Sequence, residues 1–455
     1  MTFAVFLISL VYLALRKIGS IGDSDMWWHL RTGDLIRDTG SVPVVDPFSW
    51  TASGEAWQPN AWLSDVMFSW LREVGGLAAL SVYRSVGVIL IGSLLWWALR
   101  RRGSSEWAAI AAVLFGVLLM MPFITERPQV IGFVLFAALM HLLPKTLEAS
   151  WPALAGTGVL LALWANLHGS FIMGIGVIGL SATGYLIRQR ELHTPLLVVL
   201  VGVTTPLLNP YGLNVYRQAL SIPTVSSFID EWRPFDLTDV RDQLIALFIL
   251  IAFLGMWRGD RWKQWDVSIP MIALILLTTG AIRTAPFLLM WGAPFFAMAL
   301  SSLAIPRLRS WAAPRAGPMG TGLVIAGLVL AGSMVPNISE AGSIDLERVP
   351  IKEVDVLPSA CRLLNEYEFG GVVIDRRWPD LLVSQDGRND LYGLDRIEQQ
   401  ESWFTDGDLA IIEQEGMTCV LARPTRPLAT ALRASPSWTT VSESHVAVTF
   451  IKSES

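Results

Sequence analysis

Eleven apolar runs constrain this chain more than anything else in it. They fall at 1–15, 78–99, 107–125, 129–144, 152–167, 170–187, 195–208, 244–257, 267–282, 285–304 and 320–336. A spanning helix needs roughly 20 apolar residues, and a tightly packed one can be shorter, so the pattern predicts about 11 transmembrane helices. Composition agrees: 53% of residues are hydrophobic and 16% charged, against about 25% charged in an ordinary soluble domain. The 20 Trp residues suit a chain with two membrane–water interfaces. The expected fold class is an α-helical polytopic membrane protein. A net charge of −5 with no basic stripe argues against a nucleic-acid partner. The chain has no zinc spacing, phosphate-binding glycine loop or Gly-x-Ser-x-Gly elbow. The first run lacks the basic start and small-residue cleavage site of a removable signal.

Orientation follows from basic residues in short loops. Arg100–Arg102, Lys145, Arg188 with Arg190, Arg258 with Arg261 and Lys263, and Arg307 with Arg309 and Arg315 fall in alternate loops. Arg16 and Lys17 disagree and are outnumbered. This predicts a cytoplasmic N-terminus, a large first external loop at 16–77, a second at 209–243, and an external C-terminus. The expected division is a transmembrane domain at 1–337 and a small extracytoplasmic α/β domain at 338–455. Within that domain the pattern predicts helices at Asp355–Tyr367 and Asp408–Gln414. Strands are expected at Gly371–Ile374, Thr418–Ala422, Thr439–Val441 and Ala447–Ile451, with turns at Gly370-Gly371 and Asp386–Asp390. In the first loop a helix is expected from near Trp27 to Thr39, ended by Gly40. A second, capped at Asn60, carries an apolar face and lies in the interface.

The chemistry concentrates at the external ends of the runs. Asp23 and Asp25 stand beside a membrane helix, where charge is costly and usually functional. Either can cap the helix that follows, act as a general base, or bind a metal. Trp27 and Trp28 read as interface anchors, or as surfaces for a sugar or an isoprenoid chain, and His29 as a packed or hydrogen-bonded group. Arg127 and Arg283, near membrane depth, read as ion pairs or as phosphate ligands, to which the arginine fork is suited. His168 and Asn166 add donors at the end of the fifth run, or satisfy frayed carbonyls. Glu231, in the second loop, closes the site or is a solvated loop residue. Cys361 and Cys419, external and therefore oxidised, read as a disulfide or as two small core residues.

Asp25-Met26-Trp27-Trp28-His29-Leu30-Arg31 resembles the first external loop of the GT-C superfamily of membrane glycosyltransferases, and of oligosaccharyltransferase catalytic subunits in particular. The whole chain is also similar to a group of bacterial GT-C proteins that carry Asp-x-Asp-x-Trp-Trp-His, Arg-Pro-Gln, Trp-x-Asn-x-His-Gly and Asn-Pro-Tyr-Gly. Here these stand at 23–29, 127–129, 164–169 and 209–212. The resemblance implies a GT-C-like transmembrane domain, a polyprenyl-phosphate-linked sugar donor, and an extracytoplasmic glycan, lipid or protein acceptor. It singles out Asp25 at the reaction centre, with Asp23 beside it and a divalent metal, Mg or Mn, within its reach. A second Asp-x-Asp loop and the Trp-Trp-Asp-Tyr-Gly acceptor motif are absent; Asp390-Leu391-Tyr392-Gly393 only echoes the latter. The short cytoplasmic loops leave no room for a nucleotide-binding domain.

The leading reading is therefore a membrane glycosyltransferase. Asp25 and Asp23 work on the acceptor, Arg127, Arg283 and His168 on the departing phosphate, with Asn166, Glu231 and His29 around them. A cell-envelope scaffold or assembly factor, and a lipid-linked glycan transporter, are the readings from other classes.

Overall fold

The computed structural model describes residues 2–221, 232–302 and 335–453. Those residues are mostly helical and divide into two compact units, one of 1–19, 81–219 and 226–341, the other of 20–80, 220–225 and 342–455. In chain order the helices are α1 (Thr2–Leu15), α2 (Ser24–Thr39), α3 (Trp62–Arg101), α4 (Glu106–Met120), α5 (Gln129–Thr146) and α6 (Trp151–Leu167). Then come α7 (Phe171–Gln189), α8 (His193–Thr204), α9 (Asn214–Ser221), α10 (Val240–Arg258), α11 (Trp265–Gly280) and α12 (Ala285–Ser302).

Among the described residues six helices are long and apolar enough to cross a bilayer: Trp62–Arg101, Glu106–Phe123, Gln129–Thr146, Phe171–Gln189, Val240–Arg258 and Ile282–Ser302. Four shorter apolar helices are Thr2–Leu15, Trp151–Leu167, His193–Leu207 and Trp265–Gly280. The chain is a multi-pass membrane protein. Ten of the expected runs coincide with these helices, and the run at 320–336 lies mostly outside the described residues.

The first unit packs around α12, which is buried along nearly its whole length. Apolar lipid gives helices no hydrophobic reason to associate, so small residues that let backbones approach do much of the work. A Cβ at Gly255 on α10 would run into the backbone of Phe295 on α12, and one at Gly184 on α7 into the backbone at Trp265–Asp266 on α11. The glycines mark where those pairs cross.

The second unit begins with α2, whose C-cap Gly40 takes the left-handed conformation (φ 67°). In α3 the helix is broken at Gly76 (φ 62°), between the amphipathic part and the apolar part. The short helix α13 (Val335–Ser339) belongs to the first unit, and the further helices of the second are α14 (Ile351–Asp355), α15 (Gly370–Arg377), α16 (Asn389–Asp406), α17 (Leu409–Gln414) and α18 (Pro427–Ala434). The strands are β1 (Leu363–Asn365), β2 (Cys419–Ala422), β3 (Trp438–Glu443) and β4 (Val448–Lys452), in sheet order β1-β2-β4-β3. β1 pairs parallel with β2, and the other pairs are antiparallel.

The helix at 409–414 and the three strands after it form as expected, but two elements do not. Asp355–Tyr367 contains the end of α14 and the strand β1 rather than a helix. Gly371–Ile374 lies in helix α15 rather than in a strand. A short buried run such as Val372-Val373-Ile374 has no periodicity to separate the two. Its glycines serve close packing: a Cβ at Gly370 would meet Gln385 O, and one at Gly371 would meet Ser24 O at the start of α2.

The first loop and the C-terminal residues fold as one unit. Ser49 bridges to Val383, Ile21 to Ile344, and the Trp50 indole donates to Leu363 O at 2.8 Å. Cys361 and Cys419, 58 residues apart, are joined beside β1 and β2 with 5.8 Å between their Cα atoms. Closing a loop of that length removes unfolded-state entropy worth about 4 kcal/mol in the chain-entropy picture. Reduction, or Cys361→Ser, is therefore expected to lower the unfolding temperature in detergent, with a mobility shift between reduced and non-reduced gels. Equal unfolding temperatures would show that the bond contributes nothing.

Candidate functional site

The N-terminus of α2 sets the geometry of the second unit's polar centre. Asp23 is the N-cap, its Oδ1 accepting the Asp25 N–H at 3.0 Å. Asp25 is thereby placed in the first turn, where the helix dipole favours a carboxylate. Asp25, His29 and Gly33 follow at four-residue spacing and share one face. At Gly33 that face meets α3 at close range, because a Cβ there would overlap Asp65 O. The crossing brings the Asp65 carboxylate to His29, with Nδ1 and Oδ1 2.6 Å apart. Asp65 is fully buried, and its Oδ2 has no hydrogen-bond partner among the described residues.

Trp27 and Trp28 are not interface anchors. They are 3% and 8% exposed, and Trp28 stacks on the His29 ring at 3.6 Å. One turn further along, Asp34 takes Arg72 and the Ser69 hydroxyl, Arg72 also reaches Asp375 of α15, and Arg31 donates to the Asp375 carbonyl.

The turn at 386–390 forms the other wall. A Cβ at Gly387 would run into Asp25 Oδ1, so this position admits the Asp25 carboxylate only because it is glycine. Next to it, Arg388 is 1% exposed and fully engaged. Its Nε and Nη2 donate to the two oxygens of Asp386 at 2.7 Å each, and its Nη1 donates to Asp46. The Tyr392 hydroxyl donates to Asp386 Oδ2 at 2.7 Å, and Phe48 and Trp57 flank the guanidinium. Burial, and then the Asp386 charge, push the Tyr392 phenol well above its ordinary value, so it stays a donor. Asp46 is held in turn by the Phe48 and Ser49 N–H groups at 3.0 Å.

Asp390 is reached by solvent, yet the protein around it strips enough water to raise its carboxyl to about 6. The Arg388 and His29 charges pull it back only partly.

In the first unit the Arg-Pro-Gln turn, Arg283 and the His168 turn gather at the N-terminal end of α5. Arg283 Nη2 reaches Gln129 Oε1 at 3.5 Å and lies over the Trp232 ring at 5.2 Å. A Cβ at Gly132 would press on Ser170 Oγ and lie 3.3 Å from His168 Nδ1. His168 Nδ1 accepts the Ser170 N–H at 3.1 Å, which leaves Nε2 to carry the proton of a neutral ring. Glu126 pairs with Arg84 at 2.9 Å, and the Tyr83 hydroxyl donates to the Arg127 carbonyl. Asn166 satisfies carbonyls, donating to Ala162 O and Leu208 O, while Asn209 donates back to Ala165 O. The Trp-x-Asn-x-His-Gly and Asn-Pro-Tyr-Gly motifs thus lock each other's backbones. Lys17 lies beside this cluster. Burial, aided by Arg84, lowers its amine to about 8, against the pull of Glu126. Glu231 lies outside the described residues.

Reading the sequence missed Asp46, Asp65, Arg84, Asp386 and Arg388. Asp65 was legible only as a polar position on an amphipathic helix. Among the described residues no three His, Cys, Asp or Glu side chains stand together as a cation site. The Asp25 region does not fit the metal that the resemblance implies, and no step is routed through one.

The chain shares its fold with solved membrane proteins, an archaeal oligosaccharyltransferase and ArnT. It is similar to the apo oligosaccharyltransferase of Archaeoglobus fulgidus, with a TM-score of 0.59, 12% identity, and 93% of this chain and 69% of that one covered. It is similar to AglB from the same organism solved with an inhibitory peptide and dolichol-phosphate, with a TM-score of 0.58, 13% identity, and coverage of 92% and 69%. ArnT from Cupriavidus metallidurans is matched over 98% of this chain and 97% of its own in the apo state, with a TM-score of 0.54 and 14% identity; the form bound to undecaprenyl phosphate gives 0.50 and 14%, over 99% and 97%. No family profile and no curated protein matches the sequence.

Asp390 provides a pH test of this geometry. Its folded value lies above the ordinary 3.8, so the native state binds more protons than the unfolded chain between about 4 and 6. Stability falls as pH rises through that window, and the loss is complete above it. Asp390→Asn is expected to flatten the fall, raising the unfolding temperature at pH 7 relative to wild type but not at pH below 4. Parallel curves for the two proteins would contradict the assignment.

Proposed function

We propose that this protein is a glycosyltransferase of the bacterial inner membrane that moves a sugar from a polyprenyl-phosphate-linked donor to an acceptor on the extracytoplasmic side. The N-terminus is cytoplasmic, and residues 338–455 form the extracytoplasmic domain that meets the acceptor. The observation that carries this reading is the likeness of fold over nearly the full length of both chains to ArnT, a protein solved with undecaprenyl phosphate. AglB, solved with dolichol-phosphate, supports it independently.

In the reaction, the acceptor hydroxyl gives up its proton and its oxygen bonds to the anomeric carbon. The carbon–oxygen bond to phosphate breaks, and the polyprenyl phosphate leaves with the electron pair. The donor is already activated, so the protein supplies positioning and charge stabilisation. Asp25, held in the first turn of α2 by the Asp23 cap, orients the acceptor hydroxyl. Arg127 and Arg283 take the departing phosphate, whose charge grows in the transition state, and His168 donates from Nε2. Glu231 is kept in this proposal as a residue of the second external loop. Asn166 enters it only by holding the His168 turn.

Purified wild type and Asp25→Asn, assayed with labelled polyprenyl-phosphate sugars and membrane-derived acceptors, test the assignment. The substitution is expected to lower transfer by about 10²-fold or more with donor binding unchanged, as loss of a group acting at the reaction centre does. Equal transfer by both proteins would remove Asp25 from the chemistry.

A further inference from the structure

The buried pair His29–Asp65 is unaccounted for by stability. A carboxylate taken wholly out of water loses its hydration, and replacing such a pair with apolar side chains is often neutral or stabilising. Asp65 pays that penalty with one oxygen, Oδ2, left without a hydrogen bond among the described residues. Its other oxygen is 2.6 Å from His29 Nδ1. Trp28 covers one face of the imidazole at 3.6 Å, and Phe68 stands edge-on at 6.3 Å. The ring is therefore fixed in position, and a carboxylate at Nδ1 also fixes its tautomer: Nδ1 carries the proton and donates it to Asp65, while Nε2 presents a lone pair. Nε2 is on the side of the ring away from Asp65. His29 lies one turn beyond Asp25 on the same helix face.

We infer that His29 is the group that receives the acceptor's proton, and that Asp65 is a positioning residue that holds the imidazole for it. The inference rests on the glycosyltransferase reading and divides the labour within it. Asp25 orients the acceptor hydroxyl, and His29 Nε2 takes its proton as the oxygen bonds to the anomeric carbon and the phosphate departs with the bonding electrons. The imidazolium formed is stabilised by Asp65, and the proton returns to solvent after product leaves. The charged groups that face His29 are Asp65 from α3, bonded at Nδ1, and Asp390 from the 386–390 turn, electrostatically coupled to it; Asp25 lies one turn back on its own helix.

The test compares wild type, His29→Gln, His29→Ala and Asp65→Asn as full-length proteins in detergent, with labelled polyprenyl-phosphate sugar. Donor binding is measured separately from transfer, and transfer is followed across pH 5–9. Wild type is expected to show a rising limb in kcat/KM that reports one group losing a proton. His29→Gln is expected to lose on the order of 10²–10⁴-fold in transfer, the usual contribution of a positioned base, to retain donor binding, and to lose the limb. Asp65→Asn keeps the shape of the side chain, but its amide N–H can face Nδ1 and turn the ring to the wrong tautomer. It is expected to lose transfer comparably with donor binding unchanged. Added imidazole is expected to restore part of the activity of His29→Ala, which a purely structural histidine would not permit.

If wild type transfers sugar and His29→Gln keeps both the rate and the limb, the inference is overturned while the glycosyltransferase reading stands. If wild type binds donor and transfers to no acceptor, the reading falls and the inference with it. Should His29→Gln fail to fold, Asp65→Asn together with imidazole rescue of His29→Ala decides the matter: full activity of Asp65→Asn across the pH range, or no rescue, overturns the inference.

Discussion

The polar centre of the second unit depends on one buried cation. Arg388 is enclosed by protein and held by Asp386 from its own turn and Asp46 from the first loop, 342 residues away in sequence. Leaving such a group without partners costs on the order of 3–5 kcal/mol, so the two segments fold together or the charge is stranded. The consequence reaches further than stability. Holding Arg388 fixes the turn at 386–390, the turn places Gly387 against Asp25, and Asp390 is set where it feels the His29 charge. The ionic cluster places a glycine, Gly387, and a carboxylate, Asp390, near the start of α2.

The same logic governs α2. Its cap, Asp23, fixes where the helix begins, and the helical repeat then dictates that Asp25, His29 and Gly33 share a face. Gly33 lets α3 come near enough for Asp65 to reach His29. His29, Asp65 and Asp25 are thus ordered by two helices and two glycines. In the first unit, arginine, glutamine and histidine gather around the start of α5, again with a glycine, Gly132, at the close approach.

Much of this was legible in the sequence, and the limits of the reading are physical. Apolar length located the spans, and Gly40 and Asp408 marked helix ends because their backbone roles are local. The Asp25 stretch stood out because charge beside a membrane helix needs a reason. Trp27 and Trp28 were misread because an indole is equally at home in an interface and in a core; only tertiary packing separates the two. Gly371–Ile374 was misread because a short apolar run has no period. Arg388 with Asp46, and Asp65 with His29, were out of reach because each is a pairing between distant segments that leaves no mark on either alone.

The central claim is that the sugar leaves its phosphate on this protein rather than crossing the membrane still attached. The most direct measurement is stoichiometric: purified protein in liposomes, donor labelled in both sugar and lipid, and a count of free polyprenyl phosphate released per sugar transferred. The account predicts one lipid phosphate released for each sugar that appears on acceptor. Movement of intact donor between leaflets with no free lipid phosphate would contradict it.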